Sequence, residues 1–242
     1  MQCALCLNDR PLCESHIIPE FVYQSLYDEK HRFHVVSSQP DERARYKQKG
    51  LKESLLCENC EAQFSKYEGY AKLVLRGGVP LNARREGSLI ILSGIEYRAF
   101  KLFQLSILWR AGVSKSDFFE KVQLGPHQEL LRRTLIDNNP GHSHAYGCVM
   151  WGITMLPGES PAVIMQPTKT RIHGHITYKF MFGGLVWVFF VTSQQLAYPF
   201  NLCVIQENGD AVVQVKGITE MRDLSAFMAT AQKHGNLPRG GA

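Results

Sequence analysis

At 242 residues the chain is long enough to bury a substantial core, either as one large domain or as a small domain joined to a larger one. Hydrophobic residues at 45% and charged residues at 20% are the composition of an ordinary soluble globular protein. A formal charge of +5 is modest and permits an acidic partner without demanding one.

The first 29 residues carry the pair Cys3-Ala4-Leu5-Cys6, a turn or short strand around Pro11-Leu12-Cys13, and then Glu14-Ser15-His16-Ile17-Ile18-Pro19. Phe21, Val22, Ser25 and Leu26 follow with helical rhythm. Residues 30–54 are polar and basic without a sustained period, which predicts a long loop with a short strand at Phe33–Val36. A second pair, Cys57-Glu58-Asn59-Cys60, opens a helix whose apolar face is Phe64, Tyr67, Ala71 and Leu75 and which Gly77-Gly78-Val79-Pro80 breaks. A helical connector follows, with Phe100, Phe103, Ile107 and Leu108 at helical spacing. A short helix at Phe118–Val122 is capped by Ser114 and Asp117, and a further helix runs His127–Ile136.

From Ala145 the period changes. Tyr146–Leu156, Ala162–Gln166, Arg171–Phe182, Leu185–Thr192, Leu202–Gln206 and Ala211–Lys216 read as strands, with Asn208-Gly209 as a hairpin turn between the last two. A final helix over Glu220–His234, capped by Thr219, closes the pattern. The expected architecture is α+β: a zinc module over residues 1–80, then a helical connector and an antiparallel β-rich domain with a C-terminal helix over 81–242.

Two CxxC pairs suit a tetrahedral four-thiolate zinc site, because two intervening residues let both sulfurs of a pair reach one ion. Seven cysteines, four of them so paired, fit reduced thiols and metal better than a disulfide framework; Cys13, Cys148 and Cys203 read as small core residues. The chain opens on a cysteine pair instead of a basic and then apolar leader. Its most apolar run, Phe180 to Thr192, is shorter than the roughly 20 residues of a membrane helix, so a cytoplasmic protein with no membrane partner is expected. Between Lys30 and Arg85 stand twelve basic and six acidic residues, so positive charge gathers around the cysteine pairs. That suits a phosphate-facing surface, and equally a solvated charged face.

The order CxxC, then Ser15-His16-Ile17-Ile18-Pro19, then Leu55-Leu56-Cys57-Glu58-Asn59-Cys60 opening a helix, resembles the HNH endonuclease family over roughly residues 1–75. The resemblance implies a treble-clef scaffold held by structural Zn²⁺ on Cys3, Cys6, Cys57 and Cys60, with a ββα-metal core that hydrolyses double-stranded DNA. It makes His16 the general base, a role its ordinary pKa suits. It places a catalytic Mg²⁺ or Mn²⁺ between the residue before His16 and the residue after Cys60, which here are Ser15 and Glu61. The family more often has Asp or His at the first position and His at the second. Glu61 is a sensible oxygen ligand; Ser15 is a weak one, which leaves Glu14 or Glu68 to supply charge. The Asn that orients the base in the family has no clear counterpart here; Gln48, Glu53 and Asn59 are the candidates. Arg43, Arg45, Lys47, Lys49, Lys52 and Lys66 are the basic side chains available for DNA phosphates. The family likeness also implies bacterial defence against foreign DNA, with the β-rich part recognising a protein partner or activator.

Plainer readings stand beside these. His16 can serve as a hydrogen-bonding imidazole in the zinc loop, and Glu61 and Glu68 as solvent-facing helix carboxylates. A catalytically degenerate zinc module that only binds nucleic acid or protein is the second functional reading, and Ser15 favours it. His142-Ser143-His144 and His173-Gly174-His175 are two further histidine pairs whose rings, on a strand, would share a face. The aromatic run Phe180, Phe182, Trp187, Phe189 and Phe190 reads as sheet core.

Overall fold

The computed structural model describes residues 1–24, 26–36, 45–48, 50–154 and 164–233. In chain order its elements are β1 (Leu12–His16), α1 (Glu20–Tyr23), β2 (Phe33–Val36), β3 (Arg45–Lys47), β4 (Lys52–Cys57), α2 (Glu58–Leu75), β5 (Asn82–Glu86), β6 (Leu89–Ser93) and α3 (Tyr97–Val113). There follow a 3₁₀ turn at Asp117–Phe119, α4 (His127–Ile136), β7 (Cys148–Thr154), β8 (Ile164–Ile172), β9 (His175–Phe182) and β10 (Leu185–Phe190). The chain closes through α5 (Phe200–Cys203), β11 (Ala211–Gly217), a 3₁₀ turn at Ile218–Glu220 and α6 (Arg222–Lys233).

Strands β1 and β4 form a two-stranded antiparallel sheet that α2 follows directly. The other described strands form one sheet in the order β3-β2-β8-β9-β10-β7-β11-β6-β5. The sheet is antiparallel except at β2–β8 and β7–β11, where the pairs run parallel. The fold is therefore α+β around a large antiparallel-rich sheet, and not a purely antiparallel one. Both ends of that sheet come from the first 93 residues and its middle from the last hundred or so. One apolar cluster includes Cys3 and Leu5, Phe64, Trp109, Trp187 and Phe189.

Several expectations need correction. Residues 30–54 hold β2, as expected, but also β3 and the start of β4. Strand β3 lies at one edge of the sheet and β5 (Asn-Ala-Arg-Arg-Glu) at the other; the exposed charges of β5 disfavour edge-to-edge pairing and erase the apolar alternation that marks a strand in sequence. The single strand expected over Arg171–Phe182 is a hairpin: Ile172 pairs with His175, and His173 and Gly174 both adopt positive φ, of 48° and 82°. Leu202–Gln206 is no strand. Phe200–Cys203 is helical, and Val204 makes one isolated bridge to Val149. Asn208-Gly209 does turn the chain, but it turns it onto Ile95: Ile95 N–H donates to the Gly209 carbonyl at 3.1 Å, and a Cβ on Gly209 would stand 2.3 Å from the Ile95 oxygen. Ser116 caps the 3₁₀ turn at Asp117, while Ser114 Oγ donates to Glu53 instead. Thr219 lies in a 3₁₀ turn and α6 starts at Arg222, so Thr219 is not its cap.

Helix α3 is the centre of the molecule. Twelve of its residues are buried, on every side of the helix, as a helix enclosed by other elements requires. Trp109 meets Phe64 of α2 edge-on at 6.2 Å, and Phe100 and Phe103 reach Trp187 of β10 at 6.2 and 6.0 Å. Along β10, Trp187 and Phe189 join this core while Val186, Val188 and Phe190 join a second, smaller one on the other sheet face with Met165, Met181 and Met221. Both faces are buried, which is why β10 reads as an unbroken apolar run.

Two cations are buried with α3. Lys101 Nζ donates to the carbonyls of Ser143 and Tyr146, at 3.2 and 3.0 Å, and burial lowers its pKa to about 8. Arg110, 1% exposed, pairs with Glu68 of α2 at 2.7 Å and donates through Nη1 to the His16 carbonyl at 2.5 Å. Removing one member of such a pair strands the other. Arg110→Met is expected to lower unfolding stability by about 3 kcal/mol, and Arg110→Met with Glu68→Met to recover part of that loss. Urea denaturation of the single and double variants checks this; additive losses would show that the two side chains do not act as a pair.

Candidate metal centre and the His16 neighbourhood

The first cysteine pair sits in a tight loop. Leu7 N–H donates to the Cys3 carbonyl at 2.9 Å with Leu7 at φ 61°, and Gln2 bridges Asp9 across the base. Ala4 N–H donates to Leu55 of β4 at 3.1 Å, which docks the loop onto the strand. Arg132 of α4, aligned by two bonds to Glu129, donates to the Leu5 carbonyl at 2.6 Å. In the second pair, Cys57 ends β4 and caps α2, and Cys60 lies in its first turn. The helix N-terminus favours negative charge there.

The four sulfurs converge. All lie within 4.8 Å of one another, and Cys6 Sγ stands 3.8 Å from Cys57 Sγ. A tetrahedral zinc with bonds of about 2.3 Å to sulfur spaces its ligands about 3.8 Å apart, so the set fits structural zinc. Cys57 N–H donates to Cys3 Sγ at 3.3 Å. Burial opposes ionisation of Cys3, yet backbone donors at Cys6, Cys57 and Leu5 bring its thiol down to about 7. Burial pushes Cys60 the other way.

His16 ends β1, opposite Lys52. Its Nε2 lies 2.5 Å from Glu20 Oε2 at the start of α1, and its side chain keeps 18% exposure. Its carbonyl is held by Arg110. Burial lowers the imidazole pKa, aided by the Lys52 charge and opposed by Glu20, so the ring is neutral near pH 7. Gly50 packs flat against it: a Cβ there would fall 2.8 Å from the Tyr23 ring and 2.9 Å from His16 Cδ2. Tyr23 OH in turn accepts from Leu51 N–H at 3.1 Å, fixing the chain beside the ring.

The other expected site residues do not join His16. Ser15 is fully buried; its Oγ accepts from Leu56 N–H at 3.1 Å and lies 3.4 Å from the Cys13 carbonyl, so it ties β1 to β4. Glu14 is exposed and accepts from Ser54 Oγ at 2.7 Å. Glu61 lies in the first turn of α2, partly buried, where its charge acts on Cys13. Glu68 is not a free helix carboxylate; it holds Arg110. Glu53 accepts from Ser114 Oγ, Lys115 N–H and Ser116 N–H, which ties β4 to the end of α3. Gln48 and Asn59 are exposed. Among the described residues, the four cysteines are the one group of three or more ligating side chains whose donor atoms come together.

Lys52 and Lys66 are exposed, on β4 and α2. Arg45 and Lys47 lie on β3 at the sheet edge, whereas Arg43 and Lys49 fall outside the described residues. His142 and His144 stack at 5.5 Å in a turn, with His142 Nδ1 3.2 Å from Glu207, and His173 lies in the β8–β9 turn against Phe200. Neither pair presents both rings from one strand. Cys148 is fully buried as expected, and Cys13 and Cys203 are partly so.

Sequence reasoning missed Glu20, Arg110 and Gly50. Glu20 stands four residues after His16 with Pro19 between, a spacing that a helix start at Glu20 converts into contact; Arg110, ninety-four residues away, left no local signal. No helix among the described residues is long and apolar enough to cross a membrane. No protein-family model, curated protein or solved structure matches this chain.

Metal analysis of the purified chain is expected to return about one zinc per molecule, and chelation to lower its melting temperature. Cys57→Ser is expected to lose both the metal and the response to chelator. A metal-free protein insensitive to chelator would remove the zinc assignment.

The His16 shift has a defined sign. Its folded pKa lies below the unfolded value of about 6.5, so the folded state binds fewer protons in between. Its contribution to stability is complete above about 6.5 and is lost as pH falls through the folded value. An NMR titration is expected to place the His16 ring midpoint below 6.5, and His16→Gln to flatten stability across that window. A midpoint at or above 6.5 would contradict the burial argument.

Proposed function

We propose that the protein is an HNH-like endonuclease that hydrolyses DNA phosphodiester bonds, with His16 as general base and Glu20 as the carboxylate that orients it. The observation supporting this reading is the 2.5 Å contact between His16 Nε2 and Glu20 Oε2 on a ring held neutral by burial. With the ring proton on Nε2, the atom facing Glu20, Nδ1 keeps the lone pair that a base needs. In the proposed step Nδ1 takes a proton from water, the water oxygen bonds to phosphorus, and the bond from phosphorus to the leaving oxygen breaks. The arrangement of β1, β4 and α2, with four thiolates at its base, is consistent with a zinc-stapled ββα unit carrying that histidine. Lys52, opposite His16 in the β1–β4 ladder, is the exposed cation best placed to meet a phosphate near the ring.

A divalent cation, Mg²⁺ or Mn²⁺, belongs to the reading through the family resemblance; it would stabilise charge on the scissile phosphate. Of the ligands the resemblance gives it, Glu14 accepts from Ser54 Oγ and Ser15 from Leu56 N–H. The carboxylates grouped with His16 are Glu20 directly and Glu68 through Arg110. A role in bacterial defence, and a protein activator meeting the β-rich part, rest on the resemblance alone.

The second reading is a zinc module that binds nucleic acid without cutting it. The absence of a gathered carboxylate set among the described residues favours it. Plasmid cleavage with Mg²⁺ or Mn²⁺ separates the two. The nuclease reading expects nicking or linearisation that falls about 10²-fold or more in His16→Ala and about tenfold in Glu20→Gln, with zinc content unchanged. Cleavage that survives His16→Ala overturns the base assignment, and DNA binding without cleavage in either metal supports the binding module. Glu61→Ala in the same assay tests the metal-ligand role that the resemblance gives Glu61: cutting as wild type removes it from the site.

A further inference from the structure

On the sheet face turned away from α3, a cavity of about 310 Å³ opens between β7–β10 and the start of α6. It uses no residue of the zinc module. Its floor is apolar and soft: Met165, Met181 and Met221 are each at least nine-tenths buried and belong to the second core. Its wall is cationic. Lys216 Nζ stands 4.5 Å from the centre of the Trp151 ring and Lys179 Nζ 6.0 Å from it, and Arg222 lines the rim.

Two of these cations, Lys216 and Arg222, have no carboxylate partner among the described residues. Glu220 also lines the cavity, but its Oε1 accepts from Gly217 N–H at 2.7 Å. A cationic wall beside an indole and over a methionine floor is complementary to one chemistry, an anion attached to a flat apolar ring. Methionine sulfur makes favourable contacts with aromatic edges, and ammonium and guanidinium groups bind phosphate through charge-assisted hydrogen bonds.

The local backbone is shaped to the same end. Between Met165 and Thr168, β8 carries one residue more than the facing segment of β9, where Met181 and Lys179 are the partners. This bulge accommodates Pro167, which has no N–H to give the ladder, and it leaves both Gln166 and Thr168 lining the cavity. Bulges commonly re-aim side chains beside binding sites.

We propose that this cavity binds a small planar-ring anion of the size and chemistry of a nucleoside monophosphate. The phosphate lies against Lys216 and Arg222, and the ring over the methionine floor beside Trp151. The volume lies at the small end of the range for ligand pockets, about 300–1,000 Å³, which excludes a folded partner or a nucleic-acid strand as the occupant of the cavity itself.

Intrinsic fluorescence reports the site selectively, because Trp109 and Trp187 are fully buried while Trp151 is partly exposed. The full chain is titrated with the four ribonucleoside monophosphates, the matching nucleosides and inorganic phosphate, with calorimetry in parallel. A saturable change is expected for at least one monophosphate, at least about tenfold tighter than for its nucleoside or for phosphate alone, and absent from the fluorescence of Trp151→Phe. Lys216→Met is expected to weaken binding about tenfold while Lys216→Arg retains it; Arg222→Gln, at an exposed position, is a second variant should Lys216→Met fail to fold. No saturable binding of any monophosphate at millimolar concentration overturns the proposal. So does binding that is equal for nucleoside and monophosphate, or unchanged in Lys216→Met and Arg222→Gln. Because no zinc or His16 chemistry enters, these outcomes are independent of whether the protein cuts DNA.

Discussion

A guanidinium at the middle of the molecule holds its two halves in register. Arg110 projects from a helix that is apolar on nearly every side, and it reaches the His16 carbonyl and the Glu68 carboxylate together. It also lies 5.3 Å over the Phe64 ring, so its flat faces are packed while its edges are bonded. Burying such a charge is unfavourable unless every donor finds a partner. The requirement runs in both directions: β1, α2 and α3 each have to be in place before the charge is satisfied. The position of the His16 backbone is therefore set by a helix from the centre of the fold, and not by the zinc loop alone.

The zinc-type cluster supplies the second constraint, of a different kind. Its cysteines are separated by more than fifty residues, and bringing them together closes a long loop whose entropic cost grows only slowly with length. The cluster fixes the base of β1 and the junction of β4 with α2. Arg110 fixes the other end of β1, where His16 sits. Between the two fixed ends, Gly50 and Tyr23 leave the imidazole little room, and Glu20 gives it a direction.

How much of this was legible in sequence follows the range of each interaction. The cysteine pairs are local signals, and two of them with helix-opening context led to the sulfur cluster found. Helix α4 was readable over His127–Ile136 for the same reason, since helix-boundary signals act over a few positions. Edge strands β3 and β5 were not, because what qualifies a strand to lie at an edge is the loss of the pattern that identifies strands. The turn at His173 was missed because a histidine took a left-handed conformation that Asn or Gly more often fills. At the site, Ser15 was read by its neighbour in sequence and proved to belong to its neighbour across the ladder. Glu61 and Glu68 were indistinguishable as helix carboxylates until α3 supplied a cation to one of them.

The strand order of the large sheet also bears on how the chain is made. Strands β2 and β6 are synthesised early, yet their inward partners, β8 and β11, belong to the last part of the chain. The β1–β4–α2 unit, by contrast, is complete within the first 75 residues and has contacts of its own. On a ribosome the metal-type unit can therefore form first, while both margins of the sheet wait with open edges for a centre that has not yet emerged. The exposed charges of β5, which hid that strand from sequence reading, are then a safeguard during that interval, since charge along an edge disfavours pairing with a neighbouring chain.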